Sequence, residues 1–157
     1  MQTIENRINE LHLGNPVTFR KLMMFPLKGQ GEPSIDYLTL DEALSAKTAG
    51  ISEVSRSGSV SGLKFLNDGD KPVFLLDGEE LIGAKQDRIL NLSVLVPEDA
   101  EIIIPVSCVE QGRWSYNSEG MHSSNRSYFS EGRAKKARMV SASLGNGMLA
   151  MSDQGEV

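Results

Sequence analysis

The stretch Pro72-Val73-Phe74-Leu75-Leu76-Asp77-Gly78-Glu79-Glu80-Leu81-Ile82-Gly83-Ala84-Lys85-Gln86-Asp87-Arg88-Ile89-Leu90-Asn91 decides how the rest of the chain is read. It opens with an apolar run, Val73 to Leu76, of the length of one buried strand. Asp77, Glu79, Glu80, Lys85, Gln86, Asp87 and Arg88 follow within a dozen residues, punctuated by Gly78 and Gly83. Ionisable groups delivered directly off a buried strand cost free energy unless they are paired, hydrogen-bonded or used. A candidate site therefore starts here.

Upstream of this stretch, Leu63 to Leu66 and Val73 to Leu76 flank Asn67-Asp68-Gly69-Asp70. An Asp-Gly pair between apolar runs predicts a hairpin, because glycine takes positive φ without a Cβ clash. Downstream, Leu92 to Val96, a turn at Pro97 to Ala100 and a strand from Glu101 to Val109 predict a second one. In that last strand Ile102, Ile104, Val106 and Cys108 share one face while Ile103 and Val109 lie on the other. Such a strand reads as central and covered on both sides. Pro105 predicts a bulge or one unpaired position in it.

Toward the N-terminus, Thr3 to Leu13 reads as a short helix capped by Thr3, with Ile4, Ile8 and Leu11 on one face and Gly14 as its stop. That stripe either docks on the core or makes a self-association contact in a homo-oligomer. Val17 to Leu27 reads as one strand, and Lys28 to Ser34 as an exposed loop. Asp36 to Leu44 sets up a second helix, with Thr39 and Glu42 as a capping box and Gly50 as the stop. Ile51 to Val54 reads as a short strand and Arg56 to Gly62 as a connection. Asn117 to Gly132 predicts a long loop, either a lid or disorder. Residues 133–157 show too weak a periodicity to assign. Many short strands with few, short helices predict a mainly β fold, with α+β as the alternative, built as an antiparallel β-sandwich or open barrel in one domain over residues 1–157.

Composition narrows the function classes. The net charge of −5 opposes a nonspecific nucleic-acid binder, which needs a basic face. The one basic cluster, Arg133 to Arg138, reads as a solvated element. A single cysteine leaves no intrachain disulfide framework or multi-cysteine zinc site and suits a reducing compartment. Without a signal pattern or a membrane-length apolar run, the chain reads as soluble and cytoplasmic.

Two readings of the charged residues stay open. In one, Asp77 and Glu79 act as a general acid/base pair or a hard-cation site. In the other, Asp77-Gly78 is a turn and the glutamates pair with Lys85 and Arg88. Glu110 stands just before Gly112-Arg113-Trp114, where an arginine and a tryptophan beside a carboxylate suit stacking on a base and gripping a phosphate. The alternative is a tryptophan capping the sheet, with Arg113 paired to Glu110. Cys108, on an apolar face without a local histidine, reads as an inert buried thiol. His12 and His122 give no zinc spacing and no nucleophile pair, and no cofactor fingerprint is present.

The chain resembles the family named for its association with ADP-ribosylglycohydrolases and rhodanese- or phosphatase-type proteins. The resemblance rests on Asp36 to Leu44, on Leu76 to Gln86 with Arg88, Ile89, Leu90 and Asn91, and on Ile104 to Trp114. Asp153-Gln154-Gly155-Glu156-Val157 is a fourth matching segment. The resemblance implies a setting near NAD and ADP-ribose metabolism. It also implies a chain that continues past Val157, in line with the abrupt end here. Together these readings place a nucleotide-like ligand on Glu80, Lys85, Gln86, Arg88, Asn91, Glu110, Arg113 and Trp114. An enzyme would work at a glycosidic or phosphoester centre, with Glu79 as general base or metal ligand, Asp77 orienting it and Arg88 or Lys85 stabilising negative charge. The rival is a noncatalytic interaction or assembly module in which the same charges form a structural ion-pair network.

Overall fold

The computed structural model describes residues 2–29, 35–110, 112–118 and 120–152. The side chains of Thr3 and Ile4, most of the Lys28 to Ser34 loop, Gln111 and the segment Asp153 to Val157 lie outside the described residues. The chain divides into two compact units, Met1–Asp36 and Tyr37–Val157.

In the first unit, helix α1 (Gln2–Asn9) stops four residues earlier than its apolar spacing predicts. His12–Leu13 instead form strand β1, followed by β2 (Val17–Phe19), β3 (Leu22–Met24) and β4 (Leu27–Lys28). The single strand expected over Val17 to Leu27 is thus a hairpin, with Phe19 opposite Leu22. Its two-residue turn puts Arg20 at φ 53°, a conformation that Asn or Gly usually signals and that Arg20-Lys21 does not. β1 pairs with β4, Leu13 opposite Leu27.

The second unit runs β5 (Leu38–Thr39), α2 (Leu40–Ala46), β6 (Ala49–Glu53), β7 (Gly62–Asn67), β8 (Val73–Leu75), β9 (Glu79–Gly83), β10 (Arg88–Leu90), β11 (Val94–Val96), β12 (Ala100–Cys108), β13 (Met121–Ser127) and α3 (Ser130–Gly145). Six strands close a barrel in the order β10-β12-β7-β6-β13-β9, and β11-β8-β5 make a separate three-stranded sheet. The fold is mainly β and largely antiparallel, as the sequence predicts, and of the two predicted forms it is the barrel, closed. Leu63, Phe65, Leu81, Leu90, Ile104 and Val106 fill its core at 1% exposure or less.

The capping box forms as read: Thr39 Oγ1 accepts from the Glu42 amide and the Glu42 carboxylate accepts from the Thr39 amide. The helix stops at Lys47, left-handed at φ 59°, and not at Gly50, which lies within β6.

Neither predicted hairpin exists. β7 pairs with β6 and β12, and β8 with β11 and β5. The buried Asn67 side chain diverts the chain at the Asp-Gly signal. Its oxygen accepts from the Gly69 amide, and its nitrogen donates to the Lys71 and Pro97 carbonyls. β11 likewise goes to β8, and β12 lies between β10 and β7. β12 is central but covered on one side only: Ile104 and Val106 face the core, while Ile103 is 59% exposed on the outside of the barrel. Its ladder with β7 ends at Pro105, opposite Gly62, with no register shift. The loop expected over Asn117 to Gly132 contains β13, which closes the barrel by pairing Met121 with both Gly83 and Ile51. The unassigned segment supplies α3, whose Lys136 is buried and not a solvated cation. No helix among the described residues is long and apolar enough to cross a membrane.

Candidate functional site

The charged residues of the opening stretch separate onto the two ends of β9. At its far end Gly83 takes φ 121°, and a Cβ there would stand 2.7 Å from the Gly120 carbonyl oxygen. Only glycine lets β13 come this close. The chain then turns through Ala84 to Asp87 and enters β10 at Arg88, which is fully buried.

A buried guanidinium needs acceptors. Arg88 Nη1 donates to Gln86 Oε1 at 2.8 Å and to the Asp87 carbonyl at 3.4 Å, and Nη2 to the Ser59 carbonyl at 3.4 Å. Gln86 in turn donates to the Glu110 carbonyl. Lys85 Nζ donates to the Ser57 carbonyl at 2.8 Å and stands 5.4 Å from the Trp114 ring centre and 5.1 Å from that of Tyr116. Arg88 lies 5.4 Å from the same Trp114 ring. Glu53 completes this layer, accepting from the Lys85 amide at 3.3 Å.

Arg113 ties down the loop that carries the aromatic residues. Its Nε donates to both Glu110 oxygens at 2.7 and 2.8 Å, and Nη2 reaches Asp87 Oδ1 at 3.0 Å. Nη1 donates to the carbonyls of Ala84 at 2.9 Å and Ser115 at 3.1 Å. The bidentate guanidinium holds the Glu110 carboxyl below the usual carboxylate range, and Glu110 raises Arg113 in return. Lys85, Gln86, Arg88, Glu110, Arg113 and Trp114 are therefore brought together, and the pairing of Arg113 with Glu110 is the one the sequence offered as an alternative.

Beside this network opens a cleft of about 720 Å³, lined by Arg56, Tyr116, Asn117 and Ser118. Tyr116 is 52% and Trp114 43% exposed. Arg56 is exposed and, among the described residues, makes no hydrogen bond or ion pair. Ser118 Oγ accepts from the Ala84 amide at 3.0 Å and the Asn117 amide donates to the Ala84 carbonyl at 2.8 Å, which fixes the floor. Sequence reading missed Glu53, Arg56, Asn117 and Ser118. Arg56 sits in a Ser/Gly connection with no local signal, and only Tyr116 was within reach of the Arg113-Trp114 motif.

At the near end of β9, Asp77-Gly78 is a turn and Asp77 faces α3. Its carboxylate takes a hydrogen bond from Lys136 and has Arg133 Nη2 at 3.6 Å. Lys136 also donates to the Leu90 carbonyl. Burial pulls the Lys136 ammonium below its usual range, against the pull of Asp77. Glu79 accepts from the Leu76 amide at 3.0 Å, and burial pushes its carboxyl up. Glu80 accepts from Ser124 Oγ at 2.9 Å. The structure thus sets Asp77 against α3 and the glutamates against Leu76 and Ser124. Glu79 opens β9, while Arg113 is anchored on the Ala84 carbonyl just past its other end, so the strand stands between the two positions.

Asn91 belongs to neither end. It donates to the Ala150 carbonyl at 3.0 Å and accepts from Ser107 Oγ at 2.7 Å, pinning the segment after α3 to the barrel. Cys108 is partly buried, which raises its thiol pKa, and its sulfur lies 3.9 Å from the Val60 carbonyl. No group of His, Cys, Asp and Glu suited to a metal ion occurs among the described residues.

Fold and site together define a small β-barrel domain with a braced, charged loop cluster at one rim. The chain belongs to the family of the ARG and Rhodanese-Phosphatase-superfamily-associated Protein domain, whose model matches residues 10–157. That family is associated with ADP-ribosylglycohydrolases and with rhodanese-phosphatase proteins. No curated protein and no solved structure matches the chain.

Proposed function

We propose that the domain binds a nucleotide-like ligand of the NAD or ADP-ribose class in the cleft between Arg56 and Tyr116. The observation that carries this is an exposed aromatic ring and a guanidinium that no described residue engages, on one cleft of about 720 Å³, a volume within the ~300–1,000 Å³ of small-molecule sites. Tyr116 offers a face for a base, a contact worth roughly 1–3 kcal/mol. Arg56 offers a fork for phosphate oxygens. Lys85, Gln86, Arg88, Glu110 and Arg113 act one step back, holding the 113–118 loop so that Trp114 and Tyr116 are placed before ligand arrives. Asp77 and Glu79, at the other end of β9, take no part in this binding. The family's association with ADP-ribosylglycohydrolases supports the ligand class.

The test is isothermal titration with ADP-ribose, NAD, AMP and pyrophosphate. Binding tighter than millimolar is expected, weakened at least tenfold by Arg56→Ala with an unchanged melting temperature. No heat from any of the four overturns the proposal. It would leave the noncatalytic interaction module, a reading favoured by one specific observation: all three guanidinium nitrogens of Arg113 already have protein partners.

A further inference from the structure

Few groups on the Tyr116 cleft are free to read a ligand. Ser118 Oγ accepts from the Ala84 amide at 3.0 Å and donates to the Gly120 carbonyl at 2.6 Å, so its one donor is spent. The Ala84 carbonyl already accepts from the Asn117 amide and from Arg113 Nη1. Asn117 is different. Its backbone is held by that 2.8 Å bond, while its side chain lines the cleft and no described residue hydrogen-bonds it. A carboxamide presents an acceptor beside a donor in one plane. The loop therefore sets a ring and an amide on one cleft, Tyr116 for the face of a base and Asn117 for an edge. None of the described lining residues is a carboxylate. The ring also carries a charge beside it, since the Lys85 ammonium stands 5.1 Å from its centre.

We infer that the cleft takes the adenine end of its ligand and that Asn117 selects this base, an inference that rests on the nucleotide reading above and narrows it. Each hydrogen-bonding edge of adenine places the amino donor beside a ring-nitrogen acceptor, which is the complement of a carboxamide. Guanine has two acceptors on one edge. On the other it has its carbonyl oxygen with two donors, the ring N–H and the amino group. An asparagine paired with the carbonyl and the ring N–H leaves the guanine amino group without an acceptor, and the described lining offers no carboxylate to take it. A site built around a hydrogen-bonding edge discriminates against a base that leaves a polar group unpaired. The oxidised nicotinamide ring is disfavoured by charge. Its carboxamide could pair with Asn117, but the pyridinium would lie on Tyr116 with Lys85 beside the same ring and Arg56 on the same cleft. Like charges so placed repel. Neutral adenine stacks on Tyr116 without that cost and leaves Arg56 to the phosphates.

Isothermal titration of the full chain with AMP, GMP and nicotinamide mononucleotide tests this. AMP should bind at least about fivefold tighter than either of the others. Asn117→Asp exchanges the amide donor for a second acceptor, which suits the two donors of guanine. It should bring the AMP and GMP affinities level or invert them, with an unchanged melting temperature. Asn117→Ala should bring them level. Arg56→Ala, which removes a phosphate contact and touches no base, should weaken AMP and GMP alike and keep their ratio. A smaller preference in the wild-type chain overturns the inference, as does an Asn117→Asp chain that still prefers AMP to the full extent. Either result leaves the nucleotide reading standing. No heat from any of the three overturns the inference as well, and the nucleotide reading falls with it only if ADP-ribose and NAD are also silent.

Discussion

Asp77 and Lys136 are 59 positions apart and neither is read correctly without the other. Asp77 follows a buried strand and resembles an acid/base group, while Lys136 sits in a basic run and resembles a solvated cation. Their pairing leaves an asymmetry that can be measured. Asp77→Ala strands a buried ammonium and should cost about 3–5 kcal/mol in a denaturant melt. Lys136→Met should cost much less, because Asp77 keeps Arg133 at 3.6 Å and is partly exposed. Equal losses would sink this account. Two glutamates should give opposite pH slopes. Burial raises the Glu79 pKa above its ordinary value of 4.5, so its contribution is intact below that value and is lost as the pH rises through the folded pKa. Glu79→Gln should therefore raise the melting temperature at pH 7 and change it little at pH 4. Arg113 lowers the Glu110 pKa from 4.5, so that contribution is present above 4.5 and lost as the pH falls through the folded value. Glu110→Gln should lower the melting temperature at pH 7 and flatten the acid limb. Melts of both variants at pH 4 and pH 7 check the signs.

At the scale of elements, what was legible is what the chain settles locally. The Thr39–Glu42 box is complete within four residues and forms as read. α3 was illegible because its inward face carries Lys136 with Val140, and a cation at a core position erases the apolar period. β13 was illegible because Met121-His122-Ser123-Ser124-Asn125-Arg126-Ser127 has polar residues on both faces, and it is a strand because β9 and β6 offer it edges. Gly83 shows how closely β13 is held. Gly83 and Gly112 both have positive φ, but a Cβ on Gly112 meets nothing within 4 Å. Alanine at each site pays about 1–3 kcal/mol of backbone strain. The excess for Gly83→Ala over Gly112→Ala reports the clash with Ser118 Oγ and the Gly120 carbonyl together and should be clear in thermal melts. Identical melting temperatures would mean that β13 gives way without cost.

For the whole molecule, alternation and turn signals sufficed for a mainly β barrel but not for its pairing. Only β6–β7 and β9–β10 join strands that follow one another directly; β10–β12 skips β11, and the other three contacts link strands far apart in the chain. Asn67 illustrates the difficulty: an Asp-Gly signal is local, whereas the Pro97 carbonyl that helps redirect the chain lies 30 residues on. The candidate site was legible as a cluster, Lys85 to Arg88 with Glu110 to Trp114, but not its division between the ends of β9, since no spacing reveals that Asp77 belongs to α3. Closure by β13 also sets the order of events during synthesis. Until residues 121–127 leave the ribosome, β6 and β9 each keep an open edge, the kind of backbone that pairs with other chains. At roughly 5–20 residues per second the wait after β6 lasts several seconds. A nascent chain is therefore most in need of chaperone cover between its first barrel strand and its last.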